Sequence, residues 1–147
     1  MSKQKSIIVV LISLAFIMSF FTNCDKDKSP VKPDEGSIVG DWKLTKITIE
    51  TANETTILTE DLLNLIGAYW TLKIKSDNTF ESNYNLESGP EIETGTWSIS
   101  GNKLTITFAS GGSETFEFSL DGNTLILKWT DTEDGVEEKI TAEFTRQ

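Results

Sequence analysis

Apolar and polar residues alternate along the chain from residue 38 onward, in short segments that turn residues separate. Trp70 and Leu72, for example, alternate with Thr71 and Lys73. Such a period-two pattern places apolar side chains on one face of a β-strand and polar side chains on the other. With residues 39–49 as the opening strand, the pattern gives about eight strands in all at spacings of about 8–12 residues, which is typical of a barrel or sandwich. The pattern predicts an all-β domain over residues 38–147.

The predicted strands are joined by short turns, of which residues 76–78 and residues 121–123 are clear examples. Tight hairpins favour an up-and-down meander, because a Greek key needs at least one long crossover connection. A closed barrel of about eight strands turns every apolar face inward and leaves no strand edge unpaired. We therefore expect an up-and-down antiparallel β-barrel. In its first strand the apolar parity changes between Leu44 and Ile47, which predicts a β-bulge near Thr45 and Lys46.

One segment between the first two long strands does not alternate. Thr59 precedes two acidic residues and the apolar residues at positions 62, 63, 65 and 66, and Gly67 follows them. This order is typical of an N-capped short helix that a glycine ends. Two interpretations are open, a plug that closes one end of the barrel or a lid over a cavity. The plug is favoured, because four large apolar side chains on so short an element require permanent burial.

The interior of such a barrel is expected to be rich in aromatic side chains. In one interpretation these rings fill the barrel, and function resides on the loops or the outer surface. In the other they line a pocket for one apolar or amphipathic small molecule, which barrels of this size can hold. The number of rings slightly favours the filled barrel. The candidate lining residues of the second interpretation are Trp70, Leu72, Phe80, Tyr84, Trp97, Leu104, Ile106, Phe108, Phe116, Phe118, Leu127 and Trp129.

The start of the chain has the layout of an export signal. Lys3 and Lys5 precede an apolar run over residues 7–21, and Cys24, which is the chain's 1 cysteine, follows shortly afterwards. This layout predicts a signal peptide over residues 1–23. In a lipoprotein, Cys24 would become the first residue and carry fatty acyl chains such as palmitate. The alternatives are an uncleaved membrane anchor and an ordinary signal peptide with an incidental cysteine.

Residues 24–37 have almost no apolar content and include two of the chain's 3 prolines. Such a segment buries too little surface to offset the cost of ordering, so a flexible tether is expected. We expect the domain to be attached by an N-terminal lipid to a membrane of the bacterial cell envelope. The outer membrane or the cell surface is favoured over the inner membrane.

The charge and the residue types limit the chemistry. The chain has 13 Lys and Arg against 23 Asp and Glu, which argues against nucleic acid as a partner. It has no histidine, and its cysteine is assigned to lipid, so we expect no enzyme, metal or cofactor. The carboxylates of Glu91, Glu93, Glu114 and Glu117 are assigned to polar strand faces and interpreted as solvated surface charge.

The residues from Gly40 to Trp42 resemble the Gly-x-Trp motif with which lipocalins open their first strand. In the wider calycin group this tryptophan packs against an arginine near the end of the chain, where this sequence has Arg146. Residues 95–104 also resemble bacterial lipocalin-like domains that are often found in lipoproteins. The resemblance covers residues 38–146 and implies a lipocalin-like barrel in which Gly40, Trp42 and Arg146 are structural. The Thr-Asp-Tyr element of the main lipocalins is absent, so the resemblance implies no retinoid or odorant ligand.

Two functions from different classes follow from these observations. The first is a membrane-anchored, monomeric binding or carrier module for a small apolar or amphipathic molecule. The second is an envelope protein-interaction module with a filled barrel, acting on an inhibition, adhesion or assembly partner. A cavity with an open mouth distinguishes the first function from the second.

Overall fold

The computed structural model describes residues 38–86, 89–133 and 135–147. The predicted signal peptide, Cys24 and the tether therefore lie outside the described residues. Within these residues no helix is long and apolar enough to span a membrane. The elements in chain order are β1 (Gly40–Glu50), β2 (Thr55–Thr59), α1 (Glu60–Leu65), β3 (Tyr69–Ile74), β4 (Thr79–Asn85), β5 (Glu91–Ser100), β6 (Lys103–Phe108), β7 (Ser113–Asp121), β8 (Thr124–Glu133) and β9 (Val136–Arg146).

The strands form a closed antiparallel barrel. From β3 to β9 each strand pairs with the next one along the chain, and β1 pairs with both β3 and β9. Eight strands thereby enclose one interior, which confirms the predicted up-and-down antiparallel β-barrel. The alternating inward side chains give the barrel its apolar core, of which Leu104, Leu125, Leu127 and Phe144 have no exposed surface.

The short strand β2 was not predicted from the sequence. It pairs only with the second half of β1, from Lys46 opposite Thr59 to Glu50 opposite Thr55, whereas β3 pairs with the first half. The helix α1 therefore lies between β2 and β3 rather than directly after β1. Five residues with two adjacent apolar members are too few for a period-two pattern to be visible.

The predicted β-bulge in β1 is confirmed. Leu44 pairs with Phe144 and Lys46 pairs with Glu143, so Thr45 is an extra residue on its strand. The Thr45 hydroxyl donates a hydrogen bond to the Glu143 carbonyl oxygen at 3.1 Å. The extra residue restores the inward direction for the apolar side chains that follow it, which explains the change of parity in the sequence.

The two ends of the barrel differ. The β3–β4, β5–β6 and β7–β8 turns lie at one end together with the start of β1 and the end of β9, and we name it the closed end. There the Arg146 guanidinium lies 4.1 Å from the centroid of the Trp42 ring and donates to the Val39 carbonyl oxygen at 2.7 Å. A side chain at Gly40 would collide with Arg146. These contacts agree with the structural roles that the resemblance implies.

The opposite end carries the helix α1 and the remaining connections, β1–β2, β4–β5, β6–β7 and β8–β9. We name it the open end. The strand registers fix this arrangement, because every hairpin turn of an up-and-down barrel lies at the end opposite to the previous one.

Candidate functional site

A cavity of about 370 Å³ lies inside the barrel. Leu63 and Ile66 of the α1 segment, Leu86 after β4 and Thr132 near the end of β8 line it, so it extends to the open end. Its volume falls in the range of about 300–1,000 Å³ that is usual for small-molecule sites. The slight preference for a completely filled barrel is therefore wrong. The lining residues come from every strand of the barrel, so the space lies between the core and the open end.

The structure places the twelve candidate lining residues in two groups. Eight of them line the cavity, namely Trp70, Leu72, Phe80, Tyr84, Ile106, Phe108, Phe116 and Trp129. The other four, Trp97, Leu104, Phe118 and Leu127, are buried in the core but do not line it. The Trp97 indole, for example, donates to the Lys75 carbonyl oxygen in the β3–β4 turn at 2.9 Å, toward the closed end. Alternation predicts which side chains point inward but not how far along the barrel each one lies.

Edge-to-face ring contacts hold the aromatic wall of the cavity in place. The centroid of the Trp70 ring lies 6.2 Å from that of Tyr84, 6.3 Å from that of Trp129 and 5.1 Å from that of Phe144. The Trp70 indole also donates to the Ser82 hydroxyl oxygen at 2.8 Å. Such contacts contribute about 0.5–1.5 kcal/mol per pair beyond the area they bury. They fix the rings before any ligand arrives.

The helix α1 is only partly buried. Leu63 is 3% exposed and lines the cavity, whereas Leu62 is 43%, Leu65 80% and Ile66 48% exposed. The expectation that all four apolar side chains are permanently buried is wrong, because a helix of 6 residues presents only one side to the barrel. Thr59 occupies the predicted N-cap position without making a side-chain cap hydrogen bond. The helix therefore forms part of the cavity wall at the open end and is not a buried plug.

Carboxylates at the open end also line the cavity. They are Glu93 on β5, Glu114 on β7 and Asp131 on β8. The interpretation of Glu93 and Glu114 as solvated surface charge is wrong. The signal was present in the sequence, because Glu114 stands two residues before the inward-facing Phe116, and Asp131 stands two residues after Trp129. Glu117, on the other face of β7, is exposed as expected.

Burial and neighbouring negative charges raise the pKa values of three groups that line the cavity, Glu114, Glu93 and Tyr84. Burial raises the pKa of Glu114, and the charges of Glu93 and Asp131 raise it further. Burial also raises the pKa of Glu93, to which the charge of Glu91 adds. The Tyr84 hydroxyl donates to Glu91 Oε2 at 3.0 Å. Burial and this hydrogen bond raise the pKa of the Tyr84 hydroxyl, so it remains a neutral donor at physiological pH.

Among the described residues that line the cavity, no positive side chain offsets this charge. Neither Lys nor Arg is among the described residues that line it, and the chain has no histidine. In the described part of the chain, no group of three or more His, Cys, Asp or Glu side chains is arranged to hold a metal ion. The site therefore combines an apolar wall with a negatively charged mouth.

Residues 38–143 match the family model described as a lipocalin-like domain. The chain belongs to this family. The lipocalin-like domain comprises the closed barrel, in which the first strand pairs with the last. The family that the sequence resembled is thereby confirmed. The chain has no match among curated protein sequences.

Solved structures are similar to the lipocalin-like domain in fold. A lipocalin-like protein from Bacteroides uniformis matches with a TM-score of 0.50 at 15% identity, over 75% of this chain and 98% of that one. An uncharacterized protein from Bacteroides eggerthii matches with a TM-score of 0.47 at 14% identity, over 74% and 98%. As-p18, an extracellular fatty acid binding protein, matches with a TM-score of 0.40 at 15% identity, over 74% and 95%. At these identities the likeness is one of fold alone.

Proposed function

We propose that the lipocalin-like domain binds one small apolar or amphipathic molecule in its cavity and acts as a binding or carrier module, not as an enzyme. The observation that carries the proposal is the cavity of about 370 Å³ with a mostly apolar wall. The alternative function, a protein-interaction module, assumed a barrel that side chains fill completely. The cavity does not fit that assumption.

The binding free energy would come mainly from desolvation. Each Å² of apolar ligand surface that leaves water contributes about 25 cal/mol. The wall rings already hold their positions through contacts such as those of Trp70 with Trp129 and Phe144, so little side-chain ordering opposes binding. Entry would occur at the open end, where Leu63 and Ile66 form part of the wall.

Native mass spectrometry of the full chain, purified from its own host, tests this proposal. The expected result is a bound small molecule on the protein with wild-type cavity residues. Ile106→Trp narrows the cavity and should reduce the fraction of the protein that carries the adduct, whereas Thr107→Trp, on the exposed face of the same strand, should leave that fraction unchanged. A protein that carries no adduct and also fails to bind added apolar probes would overturn the proposal.

We also propose that Cys24 carries the lipid and that residues 24–37 connect it to the domain. The support is the order of basic residues, apolar run and cysteine at the start of the chain. Firm attachment to the cell envelope needs more than one acyl chain, which a lipoprotein cysteine provides. Growth with a clickable palmitate analogue should label the wild-type chain and leave Cys24→Ser unlabelled. Equal labelling of both would exclude Cys24 as the lipid site.

A further inference from the structure

We propose that the cavity selects amphiphiles with a cationic amine head and an apolar body over neutral or anionic ones. This inference rests on the proposed function and specifies the class of ligand. It follows from the sign and the position of the charged side chains in the cavity. Every charged side chain among the described lining residues is a carboxylate, and these carboxylates lie near one end of the cavity.

The carboxylates lie close to the mouth. Glu93 is the third residue of β5, Glu114 is the second residue of β7, and Asp131 is the third residue from the end of β8. All three of these strand ends are at the open end of the barrel. Deeper in the barrel the wall is mostly apolar and includes Leu72 and Phe80, with Ser82 as a polar lining residue. An amphiphile that enters body first would leave its head group among the carboxylates.

The environment of the carboxylates favours a cation there. Glu93 and Asp131 both act on Glu114 as like charges, which shows that the three groups share one electrostatic environment. An ammonium head would relieve this repulsion and replace the water that burial has removed. An anionic head would add to the repulsion and would find no cation among the described lining residues.

The lysines of β1 that form ion pairs do not line the cavity. On β1, Lys43 pairs with Glu60 at 2.6 Å and Lys46 pairs with Glu143 at 2.8 Å, and none of these four residues lines the cavity. A metal ion is not the favoured cation, because the described carboxylates do not form a group that could hold one. An organic cation does not need several carboxylates directed at one point, because its N–H donors can contact separate carboxylates.

A matched series of eight-carbon ligands tests the inference. Octylamine, octanol and octanoate share one apolar body and differ in the charge of the head at pH 7. They are titrated into the full chain in nanodiscs of neutral phospholipid, with empty nanodiscs subtracted. Because Trp70 and Trp129 line the cavity, tryptophan fluorescence reports binding. We expect octylamine to bind at least tenfold more tightly than octanoate, with octanol between them.

Two variants test whether Glu114 contributes to the expected preference for octylamine. Glu114→Gln should weaken octylamine binding several-fold and reduce the ratio of octylamine affinity to octanol affinity, and its circular dichroism spectrum checks that the variant is folded. Glu117→Gln, on the exposed face of the same strand, should change neither the octylamine affinity nor this ratio. Octanol or octanoate binding as tightly as octylamine, or equal effects of the two variants, would refute the cationic preference while leaving the proposed function intact. Failure of all three ligands to bind would instead count against the proposed function itself.

Discussion

At the scale of single residues, Glu114 illustrates how a binding site can reduce stability. Its carboxylate lies in a largely apolar cavity near Glu93 and Asp131, and burial raises its pKa above the ordinary value of 4.5. The folded protein therefore binds more protons than the unfolded chain in the range just above pH 4.5. Stability from this group is fully present below that pH and is lost as the pH rises through the raised pKa.

Glu114→Gln should therefore raise the melting temperature at pH 7 and leave it almost unchanged near pH 3, where the wild-type carboxyl is protonated. Circular dichroism melts at the two pH values measure this difference. Glu117→Gln is the control, because the Glu117 side chain is exposed. This substitution should change the free energy of unfolding by less than about 0.5 kcal/mol at either pH value. A lower melting temperature of Glu114→Gln at pH 7 would contradict the electrostatic cause.

At the scale of the elements, α1 shows what a short pattern can and cannot predict. The N-cap residue, the apolar run and Gly67 indicated a helix, and the structure has one over Glu60–Leu65. The same residues could not show which side chains are buried, because that depends on how the helix meets the barrel. β2 was missed for a related reason, since its place is set by pairing with β1 rather than by its own sequence.

The two leucines of α1 give a test of its contact with the barrel. Leu63 is 3% exposed and Leu65 is 80% exposed, so the same substitution should have unequal effects. Leu63→Ala should reduce the free energy of unfolding by about 2–5 kcal/mol, and Leu65→Ala should change it by less than about 0.5 kcal/mol. Urea denaturation measures both. Similar losses for the two variants would mean that α1 packs differently from the structure.

At the scale of the whole molecule, the alternation of residues was sufficient to predict a closed barrel but not its cavity. Period-two patterns assign each side chain to a face, and pairing with neighbours then determines its depth. Trp97 and Trp129 have the same inward parity, yet only Trp129 lines the cavity. Glu93 was assigned to the surface because acidic residues are usually exposed, although it shares the inward face with Trp97.

The contacts of Arg146 that join the first strand to the last lie at the closed end, whereas the cavity extends to the open end. A substitution of Arg146 tests whether the two are independent. Its guanidinium lies over Trp42 and donates to Val39 at the closed end, so it connects the first strand with the last. Arg146→Met keeps an apolar stem but loses the cation–π contact, about 0.5–2 kcal/mol, and a charged hydrogen bond, about 1.5–3 kcal/mol. Urea denaturation should show a loss of about 2–4 kcal/mol, because the two contributions are only partly additive.

Octanol affinity should remain that of the wild type at temperatures where the variant is folded, because Arg146 does not line the cavity. A variant of unchanged stability, or one that is folded and yet loses octanol binding, would show that the closed end and the cavity are not independent.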